Sequence, residues 1–222
     1  MTSFAPNTNL DDARQLRAGA LLLAALFLLA SFGLFAAGVD DKRLLTRWDE
    51  EQKESLHRHA RANPALEHAA AALTDLGDNR YLVIASMGVI AFLAVLRLWK
   101  LAGIWAITTL GGFKLVDVLK DFYDRARPAF DDPIVFITSG AFPSGHTADA
   151  TMFYGMLAYL LIRATRRVGW FLLPAFALVI ALVGFTRVYL GAHWISDVLG
   201  GWMLGFGWVA LGMAAAEATR EY

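Results

Sequence analysis

Long uncharged apolar runs alternate with short polar segments along most of the chain. A membrane-spanning helix needs roughly 20 apolar residues, with about 17–25 as the usual range. Six runs approach or reach that length, at residues 18–39, 81–99, 101–119, 147–162, 168–185 and 194–216. The pattern predicts an all-α polytopic membrane protein with six transmembrane helices.

The one long polar segment, residues 40–80, separates the first two predicted spans. Its first half combines a few apolar residues with many charges, which is typical of a surface helix near the lipid headgroups. Asn63-Pro64 is a typical start for a second helix, since proline is favoured in the first turn. His57, His59 and His68 have no metal-ligand spacing, so we expect solvated side chains in a helical loop.

Lysine and arginine indicate the orientation, because short cytoplasmic loops carry an excess of both. Such residues fall on one side of a six-helix arrangement, at Arg14, Arg17, Arg97, Lys100, Arg163, Arg166, Arg167 and Arg220. We therefore predict a multi-pass protein of the cytoplasmic (inner) membrane with both termini in the cytoplasm. The uninterrupted first run is longer than a signal-peptide core, which favours an uncleaved first helix.

Composition agrees with this class of protein. Hydrophobic residues make up 57% of the 222 residues and charged residues only 18%, whereas about a quarter of a soluble domain is charged. The absence of cysteine excludes disulfides, cysteine-based zinc sites and thiol catalysis. We predict a single domain over residues 1–222 and expect no nucleic-acid partner; the oligomeric state stays open.

Polar and charged residues collect at three helix ends on the predicted outer face. The clusters are "KDFYDRARP" at 120–128, "PSGH" at 143–146 and "TRVYLGAHWISD" at 186–197. The positive-inside rule would place their arginines on the opposite face, so another requirement keeps them here.

These clusters contain the parts of a phosphate site. Lys120, Arg127 and Arg187 come from different helices, and three cations suit the non-bridging oxygens of a phosphate. Ser144 and Gly145 open a helix, whose backbone N–H groups and dipole favour an anion.

Two histidines add chemistry to that site. His193 and Asp197 are four residues apart, hence on one helix face, where the carboxylate can fix the tautomer of the imidazole. His146 is a second imidazole, able to protonate a leaving oxygen. The residues alone do not decide which histidine would attack.

Other charged positions allow structural interpretations. Arg125 is either an interfacial anchor or part of the site, and Asp149 either orients His146 or caps a neighbour. Lys114 and Asp117, three residues apart, are expected to neutralise one another inside the bundle.

The three clusters resemble the three signatures of the type 2 phosphatidic acid phosphatase (PAP2) family. Lys120 with Arg127-Pro128 matches the first, Pro143 to His146 the second, and Arg187, His193 and Asp197 the third, over about residues 120–197. Thr186 replaces the usual serine and keeps the hydroxyl. The resemblance is silent on the loop at 40–80.

Site roles follow from the resemblance. It implies that His193 is the nucleophile, Asp197 its activator and His146 the general acid. The phosphoryl oxygens would be held by the remaining signature residues, Lys120, Arg127, Ser144, Gly145 and Arg187. We expect no metal and no cofactor, since the cations would oppose a metal at the nearby acids Asp121, Asp124, Asp131 and Asp132.

The implied activity is hydrolysis of a phosphate or diphosphate on a membrane lipid, through a phosphohistidine, on the extracytoplasmic face. Candidate substrates are undecaprenyl diphosphate, phosphatidic acid, phosphatidylglycerophosphate and lipid A. A lipid phosphotransferase using the same residues is the alternative. A transporter fits less well, because transport sites lie near the bilayer midplane.

Overall fold

The structure, a computed structural model, describes residues 8–40 and 45–219. Within these ranges it is helical and contains no strand, so the predicted all-α class is confirmed. Its helices are α1 (Thr8–Asp40), α2 (Leu45–Ala62), α3 (Pro64–Thr74), α4 (Asn79–Val95), α5 (Trp99–Ala106), α6 (Gly112–Tyr123), α7 (Gly145–Ala164), α8 (Arg166–Tyr189) and α9 (Ile195–Ala218). Arg220 of the predicted cytoplasmic tail lies outside the described residues.

Five segments of the described chain are long and apolar enough to cross a membrane. They are Asp12–Val39, Pro64–Val95, Trp99–Tyr123, Arg166–Tyr189 and Ile195–Ala218. The predicted count of six spans is not confirmed, because α7 is absent from this set. Its first turns carry His146 and Asp149, which lower its hydropathy, and much of its surface is buried within the protein.

Helix α7 is the centre of the bundle and packs against α8, α9, α6 and α4. Glycines on α9 allow its close approach: a Cβ at Gly205 would lie 2.6 Å from the Cβ of Thr151 on α7. The backbone N–H of Ser144 donates to the carbonyl of Asp197 at 3.0 Å. This packing brings the start of α7 beside the start of α9, where two of the three signatures lie.

Helix α2 packs against the loop that follows α6 and is hydrogen-bonded to it. His57 lies 2.8 Å from Asp132 and stacks on the ring of Phe130, and Arg61 donates to Asp132 at 3.0 Å. His57 is therefore only 5% exposed, and the prediction of a solvated side chain is wrong for this residue because the loop covers it. His59 and His68 are exposed, as predicted.

Lys114 and Asp117 form the predicted pair, with 3.6 Å between the ammonium and the carboxylate. Their side chains are 77% and 59% exposed, so the pair lies on the outside of the bundle. The prediction of a pair inside the bundle is wrong, because α6 turns this face away from its neighbours.

Candidate active site

A cavity of about 500 Å³ lies where the ends of α3, α6, α7 and α8 meet. Six of the eight predicted site residues line it: Lys120, Arg127, Gly145, His146, Arg187 and His193. Asp197 lies behind His193, and Ser144 is fully buried and does not line the cavity. Lys120 and His193, which are 73 positions apart in sequence, thus share one site.

His193 sits in the tight connection between α8 and α9. Gly191 has a φ of 69°, a conformation that glycine adopts without strain, and the N–H of His193 donates to the carbonyl of Arg187 at 3.2 Å. Nδ1 lies 3.3 Å from Asp197 Oδ2, and Nε2 lies 3.0 Å from Nη1 of Arg127. Because a guanidinium only donates, Nε2 accepts here and the hydrogen is assigned to Nδ1, facing Asp197.

Both carboxylate oxygens of Asp197 accept hydrogen bonds that hold the side chain in place. Oδ2 accepts from the N–H of Trp194 at 2.9 Å, and Oδ1 accepts from Arg125. Arg125 is 16% exposed and also bonds Asp49 and Ser196, so it belongs to the site's support and is not an interfacial anchor. No sequence signal distinguished Asp49 from the two glutamates that follow it.

The cations are held in different ways. Arg127 donates to the carbonyls of Ser139 and Ala192 at 2.8 and 2.7 Å. Arg187 is 3% exposed; its Nη1 donates to Thr74 at 3.0 Å, while its buried Nε has no hydrogen-bond partner among the described residues. A buried guanidinium N–H that lies beside a cavity and lacks a partner in the described part of the chain is suited to an anionic ligand.

Gly145 permits the approach of Lys120. A Cβ at position 145 would lie 3.0 Å from the Lys120 ammonium nitrogen, so a side chain there would displace the cation. The glycine of the second signature therefore has a steric explanation in addition to the helix-terminus argument.

The start of α7 resolves the alternative left open for Asp149. Asp149 is 3% exposed and accepts from the Asn79 amide at 2.9 Å, so it holds the start of α4 and does not bond His146. The side chain of His146 forms no hydrogen bond with another described residue, and it lines the cavity. The Ser144 hydroxyl lies 2.9 Å from that of Thr147, and its contact with phosphate stays a prediction.

Burial lowers the pKa of His193 well below its ordinary value of 6.5, and the nearby cations lower it further. The imidazole is therefore neutral at neutral pH, and its Nε2 keeps the lone pair that the predicted role of nucleophile requires. We expect kcat/KM, which reports the free enzyme, to decrease on the acid side only below pH 6.5. The reason is that His193 takes up a proton, and so loses its lone pair, only below that pH. A pH–rate profile whose rate is already halved at or above pH 6.5 would contradict this assignment; activity regained on return to neutral pH is the control.

Comparison with known proteins gives the family. The PAP2 superfamily matches residues 97–221, more than half of the chain. Phosphatidylglycerophosphatase B of Bacillus subtilis (strain 168) is 35% identical over 153 residues, which cover 64% of this chain and 71% of that protein. A non-specific acid phosphatase of Salmonella typhimurium (strain LT2) is 32% identical over 116 residues, covering 45% of this chain and 40% of that protein.

A solved structure agrees in fold and family. It is the crystal structure of the first transmembrane PAP2 type phosphatidylglycerolphosphate phosphatase from Bacillus subtilis, with a TM-score of 0.77 and 26% identity. The similarity covers 89% of this chain and 98% of that one. The predicted family and enzyme class are confirmed: the chain belongs to the PAP2 superfamily and is a membrane phosphatase of that family.

Proposed function

We propose that the chain hydrolyses a phosphate monoester or diphosphate on a membrane lipid through a phosphohistidine at His193. The observation that carries the proposal is the position of His193 Nε2, at a cavity lined by three cations, while Nδ1 faces Asp197. The orientation proposed is the one predicted from the loop charges, with the site on the extracytoplasmic face and both termini in the cytoplasm.

A lipid substrate is supported by the rim of the cavity. Val135, Phe136 and Ile137 line it, and Phe136 is 87% exposed. Exposed apolar side chains beside a site are suited to the interfacial region of a bilayer. Since the similar Bacillus subtilis protein and the similar solved structure are both named for phosphatidylglycerophosphate, this lipid is the first substrate to test.

The first step requires a change at Arg127. This side chain donates to the nitrogen that would attack, so a bound phosphate must draw it away onto a phosphoryl oxygen. Nε2 then forms a bond to phosphorus as the bond to the ester oxygen breaks. The electron pair of that bond leaves on the alkoxide, and protonated His146 supplies its proton. Burial and the nearby cations lower the pKa of His146 to about 3, so the negative charge of the bound phosphate must raise this pKa for His146 to act as the acid. Asp197 stabilises the positive charge that develops on His193.

The second step restores the protein. Neutral His146 takes a proton from a water molecule that attacks phosphorus, and the phosphorus–nitrogen bond breaks with its electrons returning to Nε2. Inorganic phosphate leaves and His193 is neutral again. Lys120, Arg127 and Arg187 stabilise the charge on the transferring group in both steps, with the Gly145 N–H contributing a donor. The Ser144 hydroxyl would have to turn from Thr147 to become a further donor.

Phosphate release from defined lipids in detergent tests the proposal and separates it from phosphotransfer. The panel comprises phosphatidylglycerophosphate, phosphatidic acid, undecaprenyl diphosphate and lipid A. Release of phosphate from a single lipid, with no acceptor lipid added, supports hydrolysis. If release requires an added acceptor lipid that itself becomes phosphorylated, the chain is a phosphotransferase; if no lipid loses phosphate, the proposal fails.

We expect hydrolysis to persist in excess EDTA and to be inhibited by vanadate. The three side-chain cations would duplicate the charge of a divalent ion and repel it, and vanadate bound to His193 would resemble the phosphoryl-transfer transition state. Phosphate release is measured with EDTA, with EDTA and restored Mg²⁺, and with vanadate. If EDTA abolishes phosphate release and Mg²⁺ restores it, the metal-free mechanism is contradicted, and the acids near Lys120 become candidate metal ligands.

A further inference from the structure

Asp49 is a buried carboxylate that none of the three signatures contains. It lies on α2, in the polar segment between the first two predicted spans, and its side chain is fully buried. The next two residues on α2 are also acidic and are exposed. A single acid turned inward from a charged helix requires a partner, because burial of an unpaired carboxylate is costly.

The partners of Asp49 are the groups that hold Asp197. Oδ2 accepts from Nη2 of Arg125 at 2.9 Å and from the hydroxyl of Ser196, and Oδ1 accepts from the N–H of Ser196 at 3.1 Å. Nη1 of Arg125 in turn donates to the Ser196 hydroxyl and to Oδ1 of Asp197. Asp49, Arg125 and Ser196 thus form a closed ring at the first turn of α9, and Asp197 is bonded to this ring through Arg125.

This ring decides how much negative charge faces His193. Arg125 alone would neutralise Asp197, which would then stabilise an imidazolium poorly. With Asp49 present, two carboxylates share one guanidinium, so the positive charge of Arg125 offsets the charge of Asp197 only in part. Asp49 also turns Arg125 so that it meets Oδ1 and leaves Oδ2 to His193 and Trp194.

We propose that Asp49 is a positioning residue for the phosphoryl-transfer step, acting through Arg125 and Ser196 on Asp197. The inference rests on the proposed role of Asp197 and deepens it. Helix α2 contains none of the signature residues. Through Asp49 it would contribute to the reaction at the ends of α7, α8 and α9.

The test is Asp49→Asn in the full chain, purified in detergent, with phosphatidylglycerophosphate or whichever lipid of the panel is hydrolysed. Loss of a residue that orients a metal ligand from the outer shell typically costs about 10- to 100-fold in affinity or activity, and by analogy we expect kcat to fall by that factor. KM should stay close to that of the unaltered chain, because an interaction used only in the transition state lowers kcat and kcat/KM together. Glu54→Gln, an exposed acid on the same helix, is the matched control and should leave both constants unchanged.

A double variant keeps the test decisive if Asp49→Asn does not fold. Removing both charges, in Asp49→Asn with Arg125→Gln, leaves neither partner buried alone. Its kcat should fall below that of the unaltered chain. Where both single variants fold, the loss in the double variant should be smaller than the product of the two single losses, since the residues act as a unit. Unchanged kcat in a folded Asp49→Asn or double variant overturns the inference, as does a raised KM with unchanged kcat. An inactive His193→Ala with an active Asp49→Asn rejects this inference alone, whereas an active His193→Ala rejects the proposed function.

Discussion

Replacing His193 with alanine is expected to abolish turnover while the protein stays folded and inserted. Loss of a covalent nucleophile costs about 10⁶-fold in kcat in enzymes where it has been measured. The structure gives no substitute, because the only other histidine lining the cavity, His146, has no carboxylate hydrogen-bonded to it among the described residues. Phosphate release from the lipid substrate measures the effect.

The matched control is His68→Ala, which removes an exposed imidazole on α3. It should keep the activity and thermal stability of the unaltered chain. The His193 variant should match that stability, since Asp197 keeps Arg125 and the Trp194 N–H as partners. A folded His193→Ala that retains more than a few per cent of the rate would refute its assignment as nucleophile.

Asp197→Asn should be the second most damaging change, with a loss of about 10⁴ in kcat by analogy with the aspartate of a serine-protease triad. The amide preserves shape, but it presents an N–H either to His193 or to Arg125, and it carries no charge to stabilise an imidazolium. The tautomer with the lone pair at Nε2 is therefore lost or weakened. Steady-state kinetics on the folded variant checks the value.

Asp121→Asn is the control for that experiment, because Asp121 is an exposed acid in the last turn of α6, beside the first cation of the site. It should leave kcat near that of the unaltered chain. Near-normal turnover in Asp197→Asn would reduce Asp197 to a structural residue and remove the basis for the role proposed for Asp49.

The convergence of the site was predictable from local rules. His193 and Asp197 share a helix face because they are four residues apart, and the structure places them in contact. The three signatures were expected at helix ends on one side of the membrane. The packing of α7 against α6, α8 and α9 brings those ends to one cavity.

The supporting contacts were not predictable, because they join residues far apart in sequence. Arg125 bonds Asp49 across 76 positions, and His57 meets Asp132 across 75. Neither pair has a spacing rule, and the fold of the loop after α6 decides both. Lys114 and Asp117 show a related limit: their spacing predicted the pair, while the side of α6 that faces outward depends on packing.

The proposed mechanism depends on a covalent phosphohistidine at His193, and rapid-quench trapping tests for it most directly. The chain is mixed with lipid substrate carrying ³²P in its terminal phosphate, stopped in alkali because the phosphorus–nitrogen bond is labile in acid, and cleaved with trypsin. Cleavage after Arg187 separates the peptide with His193 from the one with His146. We predict transient label on the His193 peptide that decays as phosphate appears, and none in His193→Ala. Label on the His146 peptide, or full turnover without labelled protein, would contradict the account.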